Sequence, residues 1–242
     1  MRKGKLIAIL LTFAVLLSLA ACSETAPSTS SSADTFTPVT WKFGNQHNAQ
    51  QIATVIDEEL AEEIEVATEG RVKIELYTDS SLGDYTSIFD ELMLGTVQMA
   101  HITGVDTYDA RINAAMIPYL MTDWDQCNRA YRPDGYIFSQ VSDALRPLGI
   151  QLMGFCPEDF VGIGTVKAAT DANTPGVEKG ILCRVPMLDV FALSTQDLGF
   201  RPSSIAYSDS YAALQTGVVE GMDGNGALAT CTAFGDVLKY YY

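Results

Sequence analysis

The stretch VTWKFGNQHNAQQIATVIDEELAEEIEVATEGRVKIEL, residues 39–76, decides the fold class. Val39 to Phe43 reads as a strand and Asn45 to Gln50 as a polar turn. From Gln51 the apolar positions Ile52, Val55, Ile56, Leu60 and Ile64 recur mostly at steps of three and four, while Asp57, Glu58, Glu59, Glu62, Glu63 and Glu65 fill the other face. That spacing predicts an amphipathic helix with its apolar stripe on the core. Glu69-Gly70 stops it, and Val72, Ile74 and Leu76 then alternate with Arg71, Lys73 and Glu75 as in a strand buried on one face. A β-α-β unit results, and its crossover helix implies parallel strands.

Downstream the pattern repeats. Gly83 and Asp84 precede a helix carrying Ile88, Phe89 and Leu92, Gly95 ends it, and Val97 to Thr103 is the next strand. The middle is less regular, with an extended apolar link Ile117-Pro118-Tyr119-Leu120, a helix over Asp123 to Tyr131 and a buried strand over Gly149 to Phe155. A second series begins with a strand from Ile181 to Val185, and Pro186 opens a helix reaching about Leu198, with Gly199 as its stop. Ser208 caps a helix through Gln215 that Gly217 ends, and Val218 to Met222 is a further strand. Two α/β series joined by an irregular link predict two lobes, 39–157 and 158–242, with a ligand cleft between them.

Upstream, Arg2, Lys3 and Lys5 precede sixteen mostly apolar residues from Leu6 to Ala21. The run is short of the ~20 residues of a membrane-spanning helix, and 1–21 reads as a secretory signal peptide. Leu19-Ala20-Ala21-Cys22 resembles the bacterial lipobox, so Cys22 is the expected lipidated N-terminus. Residues 22–38, rich in Ser, Thr, Ala and Pro, read as a flexible tether. The expected location is the outer face of the cytoplasmic membrane or the periplasm.

Composition narrows the partners. The 242 residues are 48% hydrophobic and 19% charged, as in a globular protein. Three of the 15 Lys and Arg precede the first apolar run, leaving 12 against 30 Asp and Glu, a net charge of −18 from Cys22 onward. Nucleic acid is excluded as a partner by that field. Cys127, Cys156, Cys183 and Cys231 show no C-x-x-C pair and no histidine at ligand spacing, so no metal is expected; they read as buried free thiols, with one or two disulfides as the alternative. No cofactor is expected either. Gly224-Asn225-Gly226-Ala227-Leu228-Ala229 matches G-x-G-x-x-A, but without an acidic residue ~20 positions on it reads as a Gly-rich strand-to-helix turn.

Arg184 stands in an otherwise apolar strand end, Ile181-Leu182-Cys183-Arg184-Val185-Pro186. A guanidinium stripped of water there needs an anion, either one of the chain's own carboxylates or a ligand's.

Gly70-Arg71-Val72-Lys73-Ile74-Glu75-Leu76, Leu82-Gly83 and Leu94-Gly95-Thr96-Val97-Gln98-Met99-Ala100 resemble the first lobe of the DctP-type solute-binding proteins of tripartite ATP-independent periplasmic (TRAP) transporters. Ile117-Pro118-Tyr119-Leu120 is similar to that family's Leu-Pro-Phe segment, Lys179 to Pro186 to its KGLKIRVP signature, and Tyr211 to Gly221 to its YTALQTGVVDG signature. The resemblance runs from Trp41 to Tyr242. It implies a periplasmic-binding-protein-like fold closing on a small organic acid that is passed to membrane subunits, with no chemistry performed. By that resemblance Arg184 binds the ligand carboxylate and Tyr207 stacks on the ligand. Asn225 lies one place beyond the family's asparagine, where Gly224 falls, unless the turn carries an insertion. His47 takes a polar cleft position, its alternative being a surface loop; Thr103 and Gly104 offer hydroxyl and N–H donors, and Pro186 and Met187 shape the wall. Val161 stands where many members carry a second cleft arginine, so the substrate is expected to carry one acid group or to be held differently. The sequence ends at Tyr242 where the family continues, and reads as C-terminally shortened. Rival readings are a secreted α/β hydrolase of acidic sugars, using Asp209 or Asp223 with His101, and a remnant serving as a surface interaction module.

Overall fold

The computed structural model describes residues 36–242. The expected signal peptide, the lipidation site Cys22 and all but the last three residues of the tether lie outside them. Strand β1 (Val39–Asn45) is central in a parallel three-stranded sheet, flanked by β2 (Val72–Tyr77) and β3 (Met99–His101). Phe43 of β1 pairs with Leu76 and Met99, and with Val72 and Ile74 it forms the buried side of this sheet. The third strand is shorter than expected.

Helix α1 (Ile52–Ala67) makes the β1–β2 crossover, but its rotation departs from the apolar stripe. Ala53, Thr54 and Asp57 are buried and Ala61 and Ile64 pack on the sheet, whereas Ile52, Val55, Ile56 and Leu60 are exposed. Polar contacts at its N-terminus set this rotation: Thr54 Oγ1 donates to Asn48 O at 2.8 Å, and Asn45 Nδ2 donates to Thr54 Oγ1 and Asp57 Oδ2 at 3.1 and 2.6 Å. Helix α2 (Tyr85–Leu94) is punctuated as expected. The Asp84 carboxylate accepts from the N–H groups of Thr86 and Ser87, and Gly95 closes the helix at φ 74°.

Asp123 caps α3 (Trp124–Tyr131), in agreement with the sequence reading. A helix the sequence did not announce, α4 (Tyr136–Leu145), buries Ile137, Val141, Ala144 and Leu145 against Tyr85, Phe89, Val105 and Ile112, together with a 3-10 turn over Ala110–Met116. Two expectations fail nearby. Gly149 to Phe155 alternates as a strand does, with Ile150, Leu152 and Phe155 turned to that core and Met153 81% exposed, yet no sheet edge pairs with it. The Ile117-Leu120 link is exposed and turns at Tyr119, φ 58°.

The second sheet has the order β6-β5-β7-β4-β8, from β4 (Val161–Thr165), β5 (Leu182–Val185), β6 (Arg201–Ser204), β7 (Gly221–Gly226) and β8 (Tyr240–Tyr241). Strand β5 is parallel to β6 and β7, while β4 runs antiparallel to β7 and β8, so the parallel expectation holds only in part. Helix α5 (Asp189–Asp197) starts at Asp189 and not at Pro186, Leu188 being extended at φ −137° and ψ 128°, and the Met187 N–H ahead of it donates to the Tyr85 hydroxyl at 2.8 Å. A 3-10 turn over Tyr207–Asp209 leads into α6 (Ser210–Gln215), and Ser208 supplies no cap. Strand β7 begins at Gly221, later than Val218, and contains the Gly224-Asn225-Gly226 segment read as a turn. Helix α7 (Ala227–Phe234) follows it. All four cysteines among the described residues are free; Cys127 and Cys183 are buried, but Cys156 and Cys231 are exposed, against the expectation of four buried thiols. No helix among the described residues is long and apolar enough to cross a membrane.

Candidate ligand-binding site

Arg184 is the largest fully buried side chain among the described residues, at 1% exposure. Strand β5 places it between Ser203 of β6 and Met222 of β7. Its Nε donates to Ile205 O at 2.9 Å and its Nη1 to Asp223 O at 3.3 Å, and its guanidinium carbon stands 5.7 Å from the Tyr207 ring centre. No carboxylate forms an ion pair with it among the described residues. Asp223 is near, but its carboxylate is occupied by Thr195 Oγ1 and Gly224 N, both at 2.6 Å. Burial pushes the Arg184 pKa down, with Tyr85, Tyr207, Asp223 and Cys183 opposing. A buried cation held by carbonyl dipoles alone is open to an external anion.

Tyr207, on the 3-10 turn before α6, packs edge-on against Phe234 at 6.1 Å, and its hydroxyl meets the side chains of Asn225 and Gln51. A β-bulge explains the position of Asn225. Gly162 pairs with Asn225 and Ile163 with Asp223, so Gly224 is the extra residue, at φ +107°. A Cβ there would meet Pro186 Cγ at 2.7 Å and stand 3.5 Å from Arg184 Nη1, which only glycine avoids. The bulge carries the one-residue offset seen in sequence, and it leaves Asn225 Nδ2 buried beside the Tyr207 hydroxyl without a hydrogen bond of full geometry.

His47 is no surface-loop histidine: its side chain is 13% exposed and its ring lies 5.4 Å from that of His101, edge-on. Its Nδ1 stands 3.8 Å from Glu158 Oε1 and makes no hydrogen bond. Burial and the neighbouring His101 lower its pKa to about 4 against the pull of Asp57 and Gln51. The N–H of Thr103 is taken, donating to Gln46 Oε1 at 2.8 Å, while its Oγ1 accepts from Gln46 Nε2 at 3.0 Å and keeps its hydroxyl proton to donate. Gly104 is hemmed in by Ile112, whose Cγ2 a Cβ would meet at 2.6 Å. Pro186 lies beside the bulge, next to Arg184, and Met187 is tied to Tyr85 through its N–H. Sequence reasoning missed Tyr85, Gln51 and Glu158. Tyr85 is 2% exposed and reads in sequence as a core aromatic, and the signal that it joins the two sheets is the tertiary contact alone. His101 is bonded to Asp57, and Asp223 to Thr195 and Gly224, so His101 and Asp223 do not form the pair that the hydrolase reading names.

Comparison with known proteins decides the family. Bacterial extracellular solute-binding protein, family 7 (DctP), matches residues 43–242. The chain belongs to that family. A solute-binding protein of Roseobacter denitrificans is 27% identical over 213 residues, covering 84% of this chain and 61% of the relative. The sialic acid-binding periplasmic protein of Vibrio cholerae is 27% identical over 188 residues, covering 76% of this chain and 57% of its own length. This DctP chain therefore spans about six tenths of the length of these relatives. Among solved structures, the R. denitrificans TRAP periplasmic solute-binding protein with bound L-galactonate has a TM-score of 0.74 at 23% identity, over 85% of this chain and 67% of that one. A Haemophilus influenzae TRAP periplasmic solute-binding protein with bound L-gulonate gives 0.73 at 22%, over 84% and 66%. These likenesses establish the two-lobed α/β fold with its cleft. The family and these neighbours are binding proteins, as the sequence reading expected, and not enzymes.

Proposed function

We propose that this chain is the extracytoplasmic solute-binding component of a TRAP-type transporter, capturing a small organic acid between a first lobe, 39–157, and a second, 158–242, and delivering it to the membrane subunits. The observation that carries the reading is the buried guanidinium of Arg184, which has no protein carboxylate as partner. The ligand carboxylate takes that place. Tyr207 covers the apolar face of the ligand, Asn225 Nδ2 donates to one of its oxygens, His47 and Gly104 bound the far side with Thr103 as support, and Pro186 and Met187 form the wall. Val161 in place of a second cation favours an acid with one carboxylate and hydroxyl groups elsewhere. Galactonate and gulonate, bound by two structural neighbours, have that chemistry, which supports the choice. Export with the signal peptide 1–21 and a lipid anchor at Cys22 completes the proposal, supported by the Leu19-Ala20-Ala21-Cys22 segment.

A panel of aldonates, uronates and dicarboxylates tested by thermal shift, with chromatography of the ligand afterwards, checks this reading. A raised midpoint with one class and unaltered ligand is expected. Conversion of the ligand, or no shift across the panel with the folded protein, refutes it.

A further inference from the structure

Tyr85 opens α2 and is 2% exposed, packed with Phe89, Val105 and Ile112 in the core beside the first sheet. Its hydroxyl oxygen accepts from the Met187 N–H at 2.8 Å, a contact that reaches across to the chain between β5 and α5. A phenol that accepts one hydrogen bond keeps a proton to donate, and among the described residues no group receives it. Phenylalanine would fill the same space, whereas a buried donor left unspent is costly.

The neighbour of this hydroxyl carries the same surplus. Pro186, directly before Met187, flanks the bulge of β7: the point where a Gly224 Cβ would stand lies 2.7 Å from Pro186 Cγ and 3.5 Å from Arg184 Nη1. The backbone that Tyr85 holds therefore runs beside the guanidinium. Arg184 gives Nε to Ile205 O and one N–H of Nη1 to Asp223 O, and its Nη2 donates to no described group. The two side chains are close enough for each to act on the other's proton affinity. Burial pushes the Tyr85 phenol up, against the pull of the Met187 N–H and of Arg184, so it keeps its proton at neutral pH. Both groups lack an acceptor, and a carboxylate brings two oxygens.

We propose that the Tyr85 hydroxyl is a second donor to the carboxylate seated on Arg184, one oxygen taking Nη2 and the other the phenol proton, so that the bound acid ties α2 to β5. This inference rests on the reading of Arg184 as the carboxylate seat. It adds a residue that recognises the charged end of the acid from the side of the first sheet.

L-galactonate, L-gulonate, D-glucuronate and succinate, drawn from the classes of the panel above, are titrated into the full chain by calorimetry. Tyr85→Phe keeps the ring and loses the hydroxyl, and affinity for an acid that binds the unmodified protein should fall about 10- to 100-fold, the worth of a hydrogen bond to a charged group. Replacing Tyr85 by 3,5-difluorotyrosine separates this role from the Met187 contact. Fluorine lowers the phenol pKa, and the phenolate is a better acceptor from Met187 but no donor to a carboxylate. From pH 6 to 10 its affinity relative to the unmodified protein should fall, while urea unfolding shows no matching loss of stability. The charged groups facing Tyr85, namely Arg184 from β5, Asp84 beside it and Asp106 after β3, are the same in every variant. A folded Tyr85→Phe that binds within twofold of the unmodified protein overturns the proposal and leaves the Arg184 seat standing. So does a difluorotyrosine protein whose affinity follows that of the unmodified protein across the range, and this outcome decides the matter if Tyr85→Phe fails to fold. No binding of any of the four acids by the folded, unmodified protein overturns the Arg184 reading and this inference with it.

Discussion

Arg184 donates to the carbonyl oxygens of Ile205 and Asp223 and to no carboxylate, so its charge is desolvated without a counter-ion. Replacing such a cation by an apolar side chain of similar size is often neutral or stabilising for the empty protein, yet it removes the partner of a bound anion. Arg184→Met is therefore expected to unfold no more readily than the parent, while affinity for a responsive acid falls by about 2 to 5 kcal/mol in titration calorimetry. Unchanged affinity with a destabilised fold would instead mark Arg184 as a purely internal strut. The two histidines make a second prediction at this scale. The folded pKa of His101, about 10, lies above its ordinary 6.5, so the stability it contributes is full below pH 6.5 and is lost as pH rises towards 10. His47 has the opposite sign: its folded pKa of about 4 favours the neutral ring, and stability is lost as pH falls from 6.5 to 4. Each limb should amount to about 1 to 3 kcal/mol, less than the full shift implies because both rings keep some contact with water. Urea unfolding across this range should peak near pH 6.5. His101→Gln should flatten the alkaline limb and His47→Gln the acid one, and a steady rise from pH 4 to 10 would contradict both assignments.

Strand β7 shows how an element carries a site. Its bulge at Gly224 sets the register that brings Asn225 opposite Gly162, and it leaves room beside Arg184 and Pro186. Gly224→Ala forces an L residue to φ +107° and drives a Cβ to 2.7 Å from Pro186 Cγ. We expect a loss of about 1 to 3 kcal/mol in unfolding free energy and a further loss of ligand affinity measured on the folded fraction. Gly70→Ala is the comparison, because φ there is +74° but the space is open, so only the backbone strain of about 1 kcal/mol should appear and binding should be untouched. If Gly224→Ala keeps both stability and affinity, the bulge does not position the site. Helix α1 teaches the complementary lesson, since a few polar contacts among Asn45, Asn48, Thr54 and Asp57 decide its rotation against an apolar stripe of four residues.

For the molecule as a whole, a net charge of −18 from Cys22 onward repels the anion that Arg184 is placed to hold. Raising the ionic strength shortens the range of that field from about 30 Å at 0.01 M to about 8 Å at 0.15 M. Stopped-flow association of a responsive acid should thus accelerate several-fold over this interval, and a rate that falls with salt would mean that local cations dominate the approach. The sequence alone determined the first β-α-β unit, the α2 boundaries at Asp84 and Gly95, the strand that carries Arg184, the family signatures and the anomaly of Arg184, because periodicity, capping and the cost of burying a cation act over a few neighbouring residues. It did not reveal α4 or the strands β4, β6 and β8, and it misjudged the Gly149-Phe155 segment, because whether a short run joins a sheet depends on a free edge that other parts of the chain supply. Only the tertiary structure joined Tyr85 to Met187, turned Asp223 away from Arg184, tied the N–H of Thr103 to Gln46 and set His101 on Asp57. These pairings link residues far apart in sequence, and local propensity carries no record of which distant partner a buried polar group will find.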